Sequence, residues 1–356
     1  YIAPQEVLTV EFGRGCIFNC HFCTLTYRNI KDDHSRSEDN LYTELLENYE
    51  KWGTTNYSIS DETVNDYTEK IERFAGAIRK LPFRPNMAGY IRGDLLVHKH
   101  KDWQAIEDIG LNTQFYGIES FHRPSARAVG KGMETGKLQD GLLEYKDYMK
   151  SKGHFQAHLS LIAGLPHETL DSLRETKAWI QKNWIGQSTQ IMPLWIPDQV
   201  RQYEEQSRFA MNPAKYGFTK TTMAESNHNN APFTDGPQKR FRKLYEGIKF
   251  REDQQQGKVV YNTEESSFQE EMSFMNWKNE TTNLYQVLEY LEHEWYAGDE
   301  QLWNEPPFPF SYHNWLIDPT YKWEDMKTPK DKLALPKDLA ADFIKDYKRK
   351  KLGLTS

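Results

Sequence analysis

The sequence predicts an α/β fold: a partial (β/α)6 barrel of TIM type, open along one side, over residues 1–200, then a mainly helical, aromatic-rich extension over residues 201–356. Three observations lead there. Six short apolar runs alternate with longer amphipathic stretches, the rhythm of parallel strands joined by right-handed helical crossovers. Six such units fall short of the eight that close a full barrel. The unusual polar motifs of this half also fall just after predicted strands, the end at which such barrels carry their chemistry.

The first strand is predicted over residues 7–12, and the cysteines follow it. A helix over 40–51 leads to strand two, 56–60, closed by Ser60-Asp61-Glu62. A helix over 66–80 precedes strand three, 86–91, which ends in Tyr90-Ile91-Arg92-Gly93-Asp94. After a helix over 102–110 comes strand four, 113–118, with Gly117-Ile118-Glu119-Ser120 at its end. The helix over 136–152 returns to strand five, 155–163, followed by Gly164-Leu165-Pro166-His167-Glu168-Thr169. A helix over 169–183 precedes strand six, 190–195. Each helix begins near Thr, Asp, Asn or Gly, the residue types that satisfy or tolerate a helix start. After Pro197 the rhythm changes to helix-like stretches over 236–256, 281–295 and 336–351, joined by Pro- and Trp-rich loops such as 303–315. Loops that aromatic pack onto a surface, here across the open barrel.

Length and composition exclude several classes. A chain of 356 residues suggests two domains, or one large domain with an extension. Its mean hydropathy is low at −0.83, yet 13% of it is aromatic, which argues against disorder throughout. No apolar run approaches the ~18 residues that span a bilayer, and no leader sequence opens the chain, so no membrane partner is expected. The first residue is Tyr1 rather than Met, so a preceding segment is expected, and such a segment could carry a cofactor domain. The net charge of −7 gives no general pull toward nucleic acid, and the one dense basic run, 345–351, reads as a solvated helix end.

All three cysteines, Cys16, Cys20 and Cys23, lie within eight residues. An odd, tight group with none elsewhere is no disulfide framework; it reads as a metal site in a reducing, cytoplasmic compartment. Thiolates suit iron–sulfur clusters and zinc alike. A cubane takes four ligands, so three cysteines would leave one iron open to a small molecule. Zinc would take His21 or His34 as its fourth ligand, although structural zinc sites use separated ligand pairs that pin distant pieces of chain. A metal-stapled binding protein without turnover is the corresponding non-enzymatic alternative.

The spacing C-x3-C-x2-C with the aromatic Phe22 before the last cysteine resembles the signature of the radical S-adenosylmethionine (SAM) superfamily. Glu11 to Cys16, Gly117 to Ser120 and Gly164 to Thr169 are similar to motifs of the subgroup that holds the cobalamin-dependent, MiaB-type and Elp3-like members. The resemblance implies a 4Fe–4S cluster on Cys16, Cys20 and Cys23, with SAM on the open iron, and an electron donor such as flavodoxin or ferredoxin. It implies cleavage of SAM to a 5′-deoxyadenosyl radical that abstracts a substrate hydrogen. Phe22 and Ile162 would lie near the adenine, and Glu119 and Ser120 near the ribose. Ser60, Asp61 and Glu62 would stand where the family has Gly-Gly-Glu; with both glycines replaced, the contact to the methionine amino group shifts to the Ser60 or Asp61 side chain. Arg92 would answer the SAM carboxylate or else pair with Asp94, and Lys131 would act similarly or face solvent.

Alternation along strand five puts Gln156, His158 and Ser160 on one face, expected to line the lumen. Thr9, Glu11, Tyr90 and Gln190 join them by the same parity, and His228 and Asn229 are expected in a polar loop capping the open side. These are the substrate candidates; no catalytic residue is assigned. The absence of further cysteines argues against methylthiotransferases and other two-cluster enzymes. The leading expectation is hydrogen abstraction from a small polar or nucleoside-like substrate, ending in rearrangement or isomerisation. The chain also resembles phage-borne radical SAM proteins, which implies a role in thymidine and DNA hypermodification, although direct nucleic-acid contact has no support from net charge. The alternative is a cobalamin-dependent methyltransferase or cyclase whose N-terminal domain is absent here.

Overall fold

The computed structural model describes residues 7–25, 30–153, 155–185, 187–194, 196, 206–220, 277–278, 287, 290 and 294–295. All of them belong to the first of two units, Tyr1–Glu305. Six strands form one parallel sheet in chain order: β1 (Val7–Val10), β2 (Asn56–Ile59), β3 (Asn86–Arg92), β4 (Leu111–Glu119), β5 (Gln156–Ala163) and β6 (Ser188–Pro193). The α-helices among the described residues are α1 (Glu38–Trp52), α2 (Thr68–Arg79), α3 (Gly93–His98), α4 (Trp103–Asp108), α5 (Arg123–Ala128), α6 (Thr135–Lys152), α7 (Leu170–Asn183) and the short α8 (Arg208–Met211). β1 and β6 do not pair, so the sheet keeps two edges and the barrel is the partial (β/α)6 form that the alternation predicts.

One face of the sheet is apolar and carries the helices. Tyr57, Ile59, Met87, Ile91, Tyr116 and Leu159 join Leu41 and Leu45 of α1, Ile71 and Phe74 of α2 and Leu142 of α6 in one buried cluster. Each such Leu or Ile contributes roughly 1.5–3 kcal/mol on burial. The opposite face, the lumen, is polar. The register aligns Thr9, Ser58, Ala88, Thr113 and Gln156 in one row, then Tyr90, Phe115 and His158, then Gly117, Ser160 and Gln190.

The helix starts differ in kind. Ser37 caps α1 by accepting from the Asn40 amide, and Thr169 and Ser172 form a reciprocal capping box on α7. α2 has Tyr67 at its N-cap position and no side-chain cap, while the neighbouring Asp66 pairs with Lys70. Three elements carry no signal at the sequence level: the two-residue antiparallel ladder of Gly13–Arg14 with His34–Ser35, and the six-residue helices α3 and α5. The expected helices over 236–256 and 336–351, most of 281–295, the loop 303–315 and the candidates His228 and Asn229 lie outside the described residues. No described helix is long and apolar enough to cross a membrane.

Candidate functional site

The cysteine loop leaves β1 and is held from beneath by the end of β2. Asp61 accepts from the amides of Phe12 at 2.7 Å and Gly13 at 3.0 Å, and Glu62 accepts from the Gly15 amide at 3.1 Å. Asp61 is buried and lies 3.0 Å from the Lys70 ammonium, which is also 3.1 Å from Asp66 and donates to the Thr63 carbonyl. Burial pulls the Lys70 ammonium toward neutrality, but the two carboxylates win and hold its pKa above the ordinary lysine value. The reading that gave the Asp61 side chain to a SAM contact is therefore corrected: its oxygens already serve two amides and an ammonium. Ser60 is exposed and Glu62 half-buried.

Gly15 sits at φ +87°, where a Cβ would fall 2.4 Å from Ile30, so glycine is required for the chain to turn there. Cys16 donates its amide to the Ile30 carbonyl, and the Lys31 ammonium donates to the carbonyls of Cys16 at 2.9 Å and Phe18 at 2.6 Å. On the far side, the His21 amide donates to the Val129 carbonyl, and His21 Nδ1 lies 2.7 Å from the Ala128 carbonyl oxygen. The Phe209 amide closes the clamp by donating to the His21 carbonyl.

The three thiols are half-buried and form no disulfide. Cys16 Sγ is 3.5 Å from Thr63 Oγ1, and the Arg92 guanidinium donates to Cys20 Sγ at 3.6 Å. Burial pushes the Cys20 thiol up in pKa, opposed by the positive charges of Lys131 and Arg92. Arg92 leaves the end of β3, makes a two-pronged bond to Asp94 at 2.8 and 2.9 Å, and lies 4.0 Å above the Phe18 ring. The pairing with Asp94 expected as one of two roles for Arg92 is thus present. Asn65 fixes this strand end by exchanging two hydrogen bonds with the Arg92 backbone, at 3.0 and 2.9 Å.

Glu119 ends β4 at φ +65°, a backbone state uncommon for a residue with a side chain, beside an irregularity in the β4–β5 register. Its carboxylate pairs with Lys131 at 2.8 Å, and both side chains are 8% exposed. Lys131 also donates to the Gly117 carbonyl, so the solvent-facing alternative for this lysine is corrected. Ser120 is buried and donates to Glu168 at 3.3 Å. Glu168, which sequence reasoning placed in a motif without a role, accepts from the Gly164 amide at 2.6 Å, and burial pushes its carboxyl up to about 8. Phe22 and Ile162 are partly buried and pack against the apolar cluster.

In the lumen His158 is 7% exposed, hydrogen-bonded to Gln190, and burial pushes its imidazole down to about 4. Its ring is 4.9 Å from that of Phe115, which lies 5.4 Å from Tyr90. Phe115 escaped sequence reasoning, although the alternation used for strand five finds it in strand four. Gln156 and Ser160 are half-buried on the same face, whereas Glu11 is paired with Arg14 outside it.

The donor set tests which metal fits. Among the described residues no three His, Cys, Asp or Glu side chains converge on one ion, as a single zinc requires. His21 Nδ1 is engaged with a backbone carbonyl, which leaves Nε2 as its one nitrogen for an ion. In a cubane each thiol meets a different iron, so three thiols on one loop suit it without converging on a single ion.

Over residues 10–180 the sequence matches the Radical SAM superfamily. Among solved structures, the chain is similar to OxsB, described as a cobalamin-dependent S-adenosylmethionine radical enzyme, at 19% identity and a TM-score of 0.41, covering 59% of this chain and 30% of that one. For TsrM from Kitasatospora setae, a radical S-adenosylmethionine methyltransferase, the values are 11%, 0.46, 65% and 43%. For coproporphyrinogen III oxidase (HemN) from Escherichia coli, a radical SAM enzyme, they are 15%, 0.38, 62% and 54%. The matched part is under two thirds of each of those chains. No curated protein matches the sequence significantly.

Proposed function

We propose that this chain, which matches the radical SAM superfamily over residues 10–180, holds a 4Fe–4S cluster on Cys16, Cys20 and Cys23, binds SAM beside it, and starts hydrogen abstraction on a polar, nucleoside-like substrate in the lumen. The superfamily's cofactors are that cluster and SAM, and together they supply the electron and the 5′-deoxyadenosyl radical. The observation that carries the reading is a loop of three thiols at the strand ends, with the Arg92 guanidinium 3.6 Å from Cys20 and the Glu119–Lys131 pair close enough to act on the Cys20 thiol.

The chain's own residues divide the remaining work. Asp61, Glu62 and Lys31 fix the loop backbone. Arg92 offsets negative charge at Cys20, which favours electron acceptance there. Glu119 and Ser120 present a carboxylate and a hydroxyl suited to a ribose diol, while Phe22 and Ile162 supply apolar wall for an adenine. Glu62 and Ser60 are the groups left to meet the methionine ammonium. In its finer form the reading is a rearrangement or isomerisation, with hypermodified thymidine as one substrate.

Anaerobic reconstitution should give about four irons and four sulfides per chain, and dithionite should then drive conversion of SAM to 5′-deoxyadenosine. Cys20→Ala should abolish both. One zinc with no iron, or SAM cleavage at the parent's rate in the variant, would overturn the reading.

A further inference from the structure

The row of Tyr90, Phe115 and His158 crosses three neighbouring strands on the lumen face. Their rings form a continuous π surface, with centroids 5.4 and 4.9 Å apart and tilts of 48° and 39°. Phe115 and His158 are buried, but Tyr90 is 41% exposed, so the surface offers an open ring at its end. An exposed ring that continues a row of buried rings has the geometry on which a flat molecule can stack.

The position of this ring relative to the thiols follows from the strand. Tyr90 and Arg92 are two residues apart on β3 and share a face, which separates them by roughly 7 Å along it. The Arg92 guanidinium reaches Cys20 Sγ. A flat molecule lying on Tyr90 is thus one layer below the cysteine loop.

The chemistry of the surrounding rows sets what can lie there. On β2 to β5 the rows at and below the ring carry Ser58, Ala88, Thr113, Phe115 and Gln156, none of them ionised. His158 stays neutral at physiological pH, because burial holds its imidazole near 4. The cation at the mouth, Arg92, is already matched by Asp94, and the anion, Glu119, by Lys131. A charged ring would therefore enter a lumen with no free counter-charge on these strands, a costly placement. Hydrogen-bonding capacity is present: Gln156 and Ser160 are half-buried on this face, and the buried Thr113 Oγ1 has no partner among the described residues. A buried hydroxyl left unpaired costs free energy, which a ligand atom or a bridging water would recover.

We propose that the lumen takes an uncharged planar heteroaromatic ring that stacks on Tyr90 and presents amide-type donors and acceptors to Gln156, Ser160 and Thr113. This deepens the proposed function and rests on its assignment of the lumen as the substrate pocket. A nucleobase and a neutral indole amide share the required chemistry, and the experiment separates them.

Full-length reconstituted protein would be titrated by calorimetry with thymidine, with indole-3-acetamide, and with orotidine, whose ring bears a carboxylate. At least one neutral probe should bind, and orotidine should bind at least tenfold more weakly. Thymidine binding without the indole amide assigns a nucleobase, and the reverse assigns an indole-type ring. Tyr90→Ala should weaken the bound probe roughly tenfold or more, the loss expected of one base–aromatic stack, while Tyr90→Phe keeps affinity within about twofold. Failure of both neutral probes to bind, equal binding of orotidine, or unchanged affinity in a folded Tyr90→Ala variant would overturn the inference. Production of 5′-deoxyadenosine by the parent protein keeps the two readings apart. If SAM is cleaved and no neutral ring binds, the lumen inference alone fails. If SAM is not cleaved, the functional reading fails.

Discussion

Replacing Glu168 by glutamine should remove a pH dependence from the stability of the barrel. Glu168 is 2% exposed, and its pKa rises from an ordinary 4.5 to about 8 as burial disfavours the carboxylate. Between those values the folded chain keeps a proton that the unfolded chain releases, so stability is full below about 4.5 and falls as pH rises toward about 8. The loss is ~1.4 kcal/mol for each pH unit in that window and up to about 5 kcal/mol across it. Glutamine keeps the neutral charge of the protonated acid: its oxygen can accept from the backbone amides of Gly164 and Leu165, and its NH2 can donate to Ser120 Oγ. Urea unfolding at half-unit steps from pH 5 to 9 would measure the slope for each protein. The parent should lose stability with rising pH more steeply than Glu168→Gln, and the variant should be the more stable of the two at pH 8.5. Parallel curves would show that Glu168 is ionised in the folded state, and the argument from burial would be refuted.

Two further expectations concern the charges around the loop. Asp61→Ala removes one of the two carboxylates on the buried Lys70 ammonium, leaving Asp66, and takes away the acceptor for the Phe12 and Gly13 amides; a loss of about 1–3 kcal/mol is expected by urea unfolding, and adding Lys70→Met should recover part of that loss. Glu119→Ala should weaken SAM binding, read by equilibrium dialysis, with iron content unchanged; equal SAM affinity would remove Glu119 from the site.

The sheet was readable because each strand is an apolar run bounded by polar motifs, and burial of the helix-facing side enforces that pattern. Strand four illustrates the limit: Tyr116 and Ile118 announce a strand and alternation puts Phe115 on the opposite face, but whether that face lines a lumen depends on how the strands assemble. Arg92 and Asp94 are two residues apart, so their pairing could be weighed from the sequence. Lys70 reads as an ordinary surface lysine of an amphipathic helix, and its partner Asp61 lies across a loop, so the ion pair depends on tertiary placement. Glu168 stood out within its motif, but the shift in its acidity comes from burial, which no local pattern encodes. The ladder of Gly13 and Arg14 with His34 and Ser35 spans two residues a side, too few for any periodicity to register.

The clamp on His21 bears on how metal enters this protein. The carbonyls of Ala128 and Val129 and the Phe209 amide tie the cysteine segment to parts of the chain remote in sequence, and the Lys31 ammonium ties it to its own flank. In small zinc modules the apo chain is unfolded and the ion supplies the folding free energy. Here the architecture supplies its own fastenings, so chelation should strip iron and sulfide while the circular dichroism of the barrel persists, and reloading becomes a docking event on a finished surface.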